Sequence, residues 1–553
     1  MERLQVRHLG RVPYAEAYDL QRALLGSGRD EVLILEHPAT ITLGRRADPA
    51  HIVGDPARVG AEVVATDRGG DVTAHGPGQV VAYAIVSLDD DLASIPAHAH
   101  RMEDAVIATV AQFVEPSAVG GVGRLDGHPG VWVGIDTSTP AKVAAMGIRT
   151  EMVEGTRRTM HGVALNVDID LDLFATIVPC GIQGRPVTSL RELGASASMA
   201  QVGEALAAAL AESLAPGRPI DVASVLPVEE RSDGIVATGP MLDRRLREAG
   251  VDPSAGLALG ARKPSWLRIP VRRGQGFEST RTLIGDLDLV TVCEEAGCPN
   301  IFECWADGTA TFMVNGERCT RNCAFCLVDT RKPLALDPTE PARVAEAVDR
   351  MGLAHAVVTC VARDDLADGG AGAIAETIRA IRERREGTRV EVLISDLRGD
   401  ADDLQLILDA RPDVVNHNLE TVARLQRAVR PSAGYARSLT VLARARAQGF
   451  VTKSGLMVGL GETDEEVVLA LGDLAAVGVQ IVTIGQYLRP TAAHAPIARH
   501  VDLETFEWLA EQGRALGLAH VQASPLTRSS YHARSAADQA APVELRRAPA
   551  TAR

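Results

Sequence analysis

The chain has 553 residues, with 57 lysines and arginines against 72 aspartates and glutamates, a formal net charge of −15. That balance excludes a generally basic, nucleic-acid-holding surface and leaves acidic protein partners only local arginine clusters, such as Arg45 and Arg46 or Arg157 and Arg158. With 46% hydrophobic and 23% charged residues, and no apolar run of about 18 residues or signal-like N-terminal segment, the expectation is a soluble cytoplasmic protein with more than one core and no membrane association.

In chain order, "EVLILEH" and "TITLG" predict strands, and "GGDVTAHGPGQVVAYAIVSL" predicts a glycine-punctuated loop followed by a strand. "GVWVGI", "KVAAMGIR" and "HGVALNVDI" continue the strand-rich pattern to about residue 170. "SMAQVGEALAAALAESL" is a one-faced apolar helix. Residues 1–215 therefore read as an α+β domain. Between 216 and 262 proline, glycine and charge mix without a sustained period, which predicts a linker with one short helical piece, "MLDRRLREAG".

From about residue 335 the rhythm is βαβα. "AHAVVTC", "TRVEVLIS", "PDVVNHNLE", "VTKSGLMVGL" and "VQIVTIGQY" alternate with helices such as "PARVAEAVDRMG". This predicts parallel strands with crossover helices, a barrel with function at the C-terminal rim of its strands. Residues 536–553 read as a disordered tail.

Six of the eight cysteines lie between 293 and 326. In a long chain with no secretion signal, such clustering points to metal in a reducing compartment rather than to disulfides. Cys319, Cys323 and Cys326 are spaced C-x3-C-x2-C. Three thiolates can bind three irons of a cubane and leave the fourth open, whereas a zinc ribbon uses paired C-x2-C knuckles. Cys293, Cys298 and Cys304 form a second trio, C-x4-C-x5-C.

The first trio, with Phe325 before its last cysteine, resembles the radical S-adenosylmethionine (SAM) enzymes. There the open iron is chelated by SAM, whose cleavage gives a 5′-deoxyadenosyl radical. "KPSWLR", "TVCEEAGCPNIFECW", "GERCTRNCAFC", "ARDDLADGG", "NHNLETV", "KSGLMVGLGE", "GQYLRP" and "RSSYH" together resemble the lipoyl synthase family over 263–535. The resemblance implies a partial TIM barrel and two 4Fe–4S clusters per chain. One cluster sits on Cys319, Cys323 and Cys326. The other is an auxiliary cluster on Cys293, Cys298, Cys304 and Ser530, consumed as the sulfur source. A serine oxygen is a harder ligand than thiolate and suits a cluster that comes apart. The reaction implied is sulfur insertion at carbons 6 and 8 of an octanoyl chain, whose unactivated C–H bonds no side-chain base can deprotonate. Arg363, Asp365, Asn418, Glu420 and Lys453, polar residues near strand ends, are nominated to contact SAM. The run "ISDL" (Ile394 to Leu397) departs from the Thr-Pro-Asp-Phe-like pattern of that family.

"RGGDVTAHGPGQ", "KVAAMGIR", "HGVALNV" and "PCGI" resemble the lipoyl (octanoyl) transferase family over 1–215. That resemblance implies the biotin and lipoate protein-ligase-like α+β fold, with Cys180 as nucleophile and Lys142 as its partner. A lysine ammonium beside a thiol favours the reactive thiolate. It also implies substrate contacts from Arg68, Gly69, Gly70, Asp71, Val72, Thr73, Ala74 and His75, and opposite them from Ala145, Met146, Gly147, His161, Gly162, Val163 and Ala164. At Ala74 the family tends to carry an aromatic residue. The implied partners are octanoyl-acyl carrier protein, lipoyl-domain proteins (2-oxoacid dehydrogenase E2 subunits, glycine cleavage H protein) and an electron donor. Two rivals stand beside this expectation. An adenylating lipoate ligase shares the fold and the lysine but has no need of a cysteine. An iron–sulfur electron carrier would close every cluster position with protein ligands.

Overall fold

The computed structural model describes residues 3–88, 94–179, 185–224, 239–258, 262–268, 274–306, 310–531 and 533–540. The chain divides into two compact units, 1–229 and 230–553.

The first unit has twelve described strands: β1 (Leu4–Arg11), β2 (Glu31–Glu36), β3 (Thr40–Leu43), β4 (Glu62–Ala65), β5 (Val72–His75), β6 (Gln79–Ile85), β7 (Ser87–Leu88), β8 (Val122–Leu125), β9 (His128–Val133), β10 (Ala141–Val153), β11 (Thr156–Asn166) and β12 (Ile220–Ser224). The main sheet runs β12-β1-β2-β6-β11-β10-β9-β8, with β7 on β11; a small sheet runs β4-β3-β5. β6 is buried along its whole length, because the helices Ser94–Phe113 and Met199–Leu214 supply the core that covers the sheet. The second helix starts at a reciprocal capping box of Ser198 and Gln201 and buries Val202, Leu206 and Leu210, the i, i+4, i+8 stripe seen in its sequence. β12 lies in the stretch expected to be linker. Its short apolar alternation pairs in parallel with β1, Leu4 against Ile220, so the linker begins later than composition suggests.

The second unit holds a seven-stranded sheet, β13 (Thr311–Val314), β14 (His355–Cys360), β15 (Arg389–Leu393), β16 (Val414–Asn416), β17 (Val451–Val458), β18 (Ile481–Gln486) and β19 (His520–Ala523), in sequence order. Every pairing is parallel. The sheet faces helices such as Ala371–Arg384, whose Ile374 and Ile378 pack with Phe312, Val358 and Val392, each full burial stabilising by about 1.5–3 kcal/mol. The sheet does not close between β13 and β19. The helix Ala533–Ala540 contacts β14, β18 and β19, and its Ala536 and Asp538 meet Ile481 and Arg389, the first residues of β18 and β15, so it packs on the N-terminal ends of the strands of a partial barrel. This corrects the tail expected from residue 536: Ala536 and Ala537 are buried, and small side chains let the helix lie close to the strand ends. The short helix Pro240–Glu248 also belongs to this unit, burying Leu242 and Leu246.

Candidate active sites of the two units

In the first unit, period-two alternation along β5 sorts the glycine-rich run into two roles. Val72 and Ala74 turn their side chains into a cluster with Ile41, Ile169, Leu173, Phe174 and Ile177 and away from the cleft. Thr73 and His75, with Arg68, Gly70 and Asp71, line a cleft of about 400 Å³ including open solvent at its mouth. Its opposite wall is the β10–β11 hairpin, Ala145 to Gly147 and Gly162 to Ala164, paired as Ala145 with Ala164, Met146 with Val163 and Gly147 with Gly162. Both glycines are sterically required. A Cβ on Gly162 would sit 2.0 Å from the Ala82 carbonyl oxygen, and one on Gly147 2.9 Å from that of Gly69. Gly69 faces a second, wider cleft with Arg45, Asp67, Ile148 and Arg149.

Arg68 is buried and clasps β3: Nε and Nη2 donate to Thr42 Oγ1 at 3.0 and 2.8 Å, and Nη2 also donates to the Thr42 carbonyl at 2.7 Å. His75 has its tautomer set by its neighbours. The Gln79 amide nitrogen donates to Asn166 Oδ1 at 2.9 Å and to the Ala74 carbonyl, so its oxygen is left to accept from His75 Nδ1 at 2.8 Å. Nε2 therefore carries no proton, and burial together with the nearby His37 keeps the ring neutral. His161 does not line the cleft. It has a left-handed backbone (φ 63°), lies between Tyr18 and Tyr83, and donates from Nε2 to Asp67 Oδ1 at 2.8 Å. Desolvation, then the Arg68 and Arg149 cations, lower its pKa to about 3.

Lys142 lies on β10, 5% exposed. Its Nζ donates to the Pro129 carbonyl at 3.1 Å and lies 4.8 Å from the Trp132 ring centroid, a cation–π contact. Cys180 lies outside the described residues. Of the arginine clusters, Arg45 and Arg46 are exposed. Arg158 is buried against Ser87 and the Ile85 carbonyl, so it presents no docking surface.

In the second unit the loop after β13 carries Cys319, Cys323 and Cys326. Cys319 N–H donates to the Asp329 carbonyl and Thr320 N–H to that of Ala362, while Ala324 N–H donates to Val429. The Cys326 carbonyl is 2.9 Å from His494 Nε2. The other trio sits on two short helices: Cys293 on Val292–Glu295 and Cys304 on Ile301–Ala306, with Cys298 between them. Two hydrogen bonds tie this segment to the distant R-S-S-Y run. Asn300 Nδ2 donates to the Leu526 carbonyl at 2.8 Å, and the Tyr531 hydroxyl donates to Glu303 at 3.0 Å. These bonds join residues on either side of Ser530 to the segment that carries the trio, more than 220 residues away in sequence.

Both trios fit an iron–sulfur cluster. Burial pushes the thiols of Cys293 and Cys323 up to about 11 and that of Cys326 to about 12, so an electropositive ligand is needed to hold them as thiolates. The buried Trp305 indole faces the Cys293 sulfur, and its N–H favours the thiolate there. Among the described residues no three His, Cys, Asp or Glu side chains converge on a single ion.

Of the residues nominated for SAM, Asn418 and Glu420 come together: Asn418 Nδ2 donates to Glu420 at 3.1 Å and to Ser529 Oγ at 2.7 Å. Arg363 is paired with Asp365 at 2.9 Å and donates to the carbonyls of Asn315 and Leu334. Lys453 is apart from them. It is fully buried early in β17, with Nζ 2.8 Å from Glu391, itself fully buried. Asn416 and His355 complete that cluster. Asp364 follows β14 as a polar strand-end residue, but sequence reasoning passed over Arg321 and Asp396, whose side chains meet it beneath the cysteine loop; the position of Arg321 inside C-x3-C was the available signal.

A parallel sheet with a three-cysteine loop after its first strand defines a radical SAM enzyme fused behind a second, ligase-like α+β unit. Residues 313–474 match the radical SAM superfamily, and residues 13–211 match the lipoyl protein ligase A/B catalytic domain. The chain is 52% identical over 280 residues to the lipoyl synthase of Rubrobacter xylanophilus, covering 50% of this chain and 87% of that one. It is 52% identical over 295 residues to that of Symbiobacterium thermophilum, covering 53% and 92%. Through its C-terminal half the chain belongs to the lipoyl synthase family, an enzyme of lipoate biosynthesis, and that family implies 4Fe–4S and SAM. Among the described residues no helix is long and apolar enough to cross a membrane.

Proposed function

We propose that the chain catalyses two successive steps of lipoyl assembly on one acceptor. In the first, Cys180 attacks the octanoyl thioester of an acyl carrier protein, and a lysine of a lipoyl domain then takes the acyl group from the enzyme. The observation that carries this half is the β5 to β10–β11 cleft, whose Ala145, Met146, Val163 and Ala164 wall suits an alkyl chain while Arg68 and His75 mark a polar flank. Lys142 is the proton partner of Cys180.

In the second step two sulfurs are placed at carbons 6 and 8. Bound 4Fe–4S clusters and SAM supply hydrogen-atom abstraction and the sulfur. The chain's own residues hold and shield them. Cys319, Cys323 and Cys326 hold one cluster with an iron left for SAM, and Cys293, Cys298, Cys304 and Ser530 hold the other. Asn418 and Glu420, beside Ser529, hold polar groups of SAM, with Arg363 and Asp365 on another strand end. The partners are octanoyl-acyl carrier protein, lipoyl domains of E2 subunits or H protein, and an electron donor, in the cytoplasm.

The test is anaerobic reconstitution with iron and sulfide, then octanoyl carrier protein, a lipoyl domain, reductant and SAM. Mass spectrometry should show an octanoyl shift on the acceptor lysine, then added sulfur. Cys180→Ala should abolish the first shift, and Cys319→Ala should keep it and abolish the second. Octanoyl transfer that persists in Cys180→Ala, or that requires free octanoate and ATP, would replace the transferase reading by a ligase.

A further inference from the structure

We propose that Arg321 is a positioning residue that holds the first half of the cysteine loop in register by bridging two carboxylates on consecutive strand ends. Arg321 lies between Cys319 and Cys323 and is 7% exposed. Its Nε and Nη2 each donate at 2.8 Å to the two oxygens of Asp364, which follows β14. Its Nη2 also lies 2.6 Å from Oδ1 of Asp396, which follows β15 and is fully buried. A planar guanidinium forked onto one carboxylate and shared with another fixes its own backbone in position and angle, which a lysine cannot do. The backbone reports the consequence: Arg321 N–H points at Cys319 Sγ, 3.4 Å away, and Thr320 Oγ1 lies 3.0 Å from Asp364.

The anchor is itself braced. Leu397 and Arg398 are consecutive non-glycine residues in the left-handed region, φ 48° and 58°, a conformation kept only where surrounding contacts hold it. Arg398 donates to the carbonyls of Leu366 and Ala367 at 3.1 and 2.7 Å, stapling the loops after β14 and β15 to each other. The atypical "ISDL" run therefore keeps the one residue, Asp396, that reaches the cysteine loop. The second half of the loop is held separately, through Val429 and His494.

The inference rests on reading the trio as cluster ligands, so the first measurement needs no cluster. In the full-length, reduced, iron-free protein, alkylation of the Cys319–Cys326 peptide is timed by mass spectrometry, with the Cys293–Cys304 peptide as internal control. Arg321→Gln with Asp396→Asn, which removes both buried charges together, should raise loop labelling about tenfold by favouring local opening; Asp364→Asn should give a smaller rise, and Arg321→Lys should not restore protection. After reconstitution, the same variants should show a broadened electron paramagnetic resonance signal and a weakened response to SAM. Unchanged loop labelling in the double variant, or an equal rise at the control peptide, would overturn the proposal. Faster labelling in variants of a protein that never takes up iron at this trio would leave the tether standing and remove the cluster reading.

Discussion

Lys453 and Glu391 meet 2.8 Å apart inside the barrel, both fully buried. Burial alone would raise the glutamate's pKa, but the ammonium, with His355, holds it at about 2. Removing one partner leaves the other charge uncompensated, so Lys453→Met should lower stability by about 3–5 kcal/mol and Lys453→Met with Glu391→Leu should recover most of it. Urea midpoints check this. The neutral histidines act in the opposite pH direction from a paired cation. His37 and His98 are held at about 4 and His161 at about 3, chiefly by desolvation. Each lies below its unfolded value near 6.5, so below that pH the unfolded chain binds more protons than the folded one. The first unit should lose stability as pH falls from about 6.5 toward 4, by up to about 1.4 kcal/mol per pH unit per histidine. His98→Gln should flatten that slope in denaturation curves taken between pH 7.5 and 5.

At the scale of elements, β5 shows how one strand separates packing from binding. Ala74 is fully buried against Leu173 and Phe174, so Ala74→Tyr should cost about 1–3 kcal/mol by overpacking. Thr73→Val, on the cleft side, should change acyl transfer with little change in melting temperature. The helix Ala533–Ala540 packs on the N-terminal ends of the barrel strands through Ala536, which packs with Ile481, and through Arg389 bound to Asp538 at 2.8 Å. Ser530 and Tyr531 immediately precede it. Ala536→Asp places an unpaired carboxylate in that contact, at a cost of several kcal/mol. It should reduce iron retained by the Cys293 trio more than iron retained by the Cys319 trio, as read by metal analysis in variants lacking one trio or the other.

At the scale of the whole molecule, each unit has its own core. Residues 1–229 and 230–553 expressed separately should each melt cooperatively at temperatures close to their transitions in the intact chain, checked by circular dichroism. If tethering raises the local concentration of the second site near the octanoylated product, the intact chain should exceed the mixed halves in coupled rate at low enzyme concentration. Equal rates would remove any advantage of the fusion.

Local pattern was enough for β2, β3, β6 and β9 to β11 of the first unit, β14 to β18 of the second and their parallel pairing, the helix at Met199 and the spacing of the two cysteine trios, because period and thiol spacing are written in neighbouring residues; the outer strands β1, β13 and β19 carried no such signal. It placed the edge strand Ile220–Ser224 in a linker and the helix from Ala533 mostly in a tail, since a short element is stabilised by a distant partner, β1 in one case and the first residues of β15 and β18 in the other. Which side chains of the glycine-rich run face the cleft, the isolation of Lys453 with Glu391, and the meeting of Arg321 with Asp364 and Asp396 were decided only by tertiary structure. Each depends on strand register or on burial, which convert a polar residue near a strand end into a ligand contact or a core ion pair according to what stands across from it.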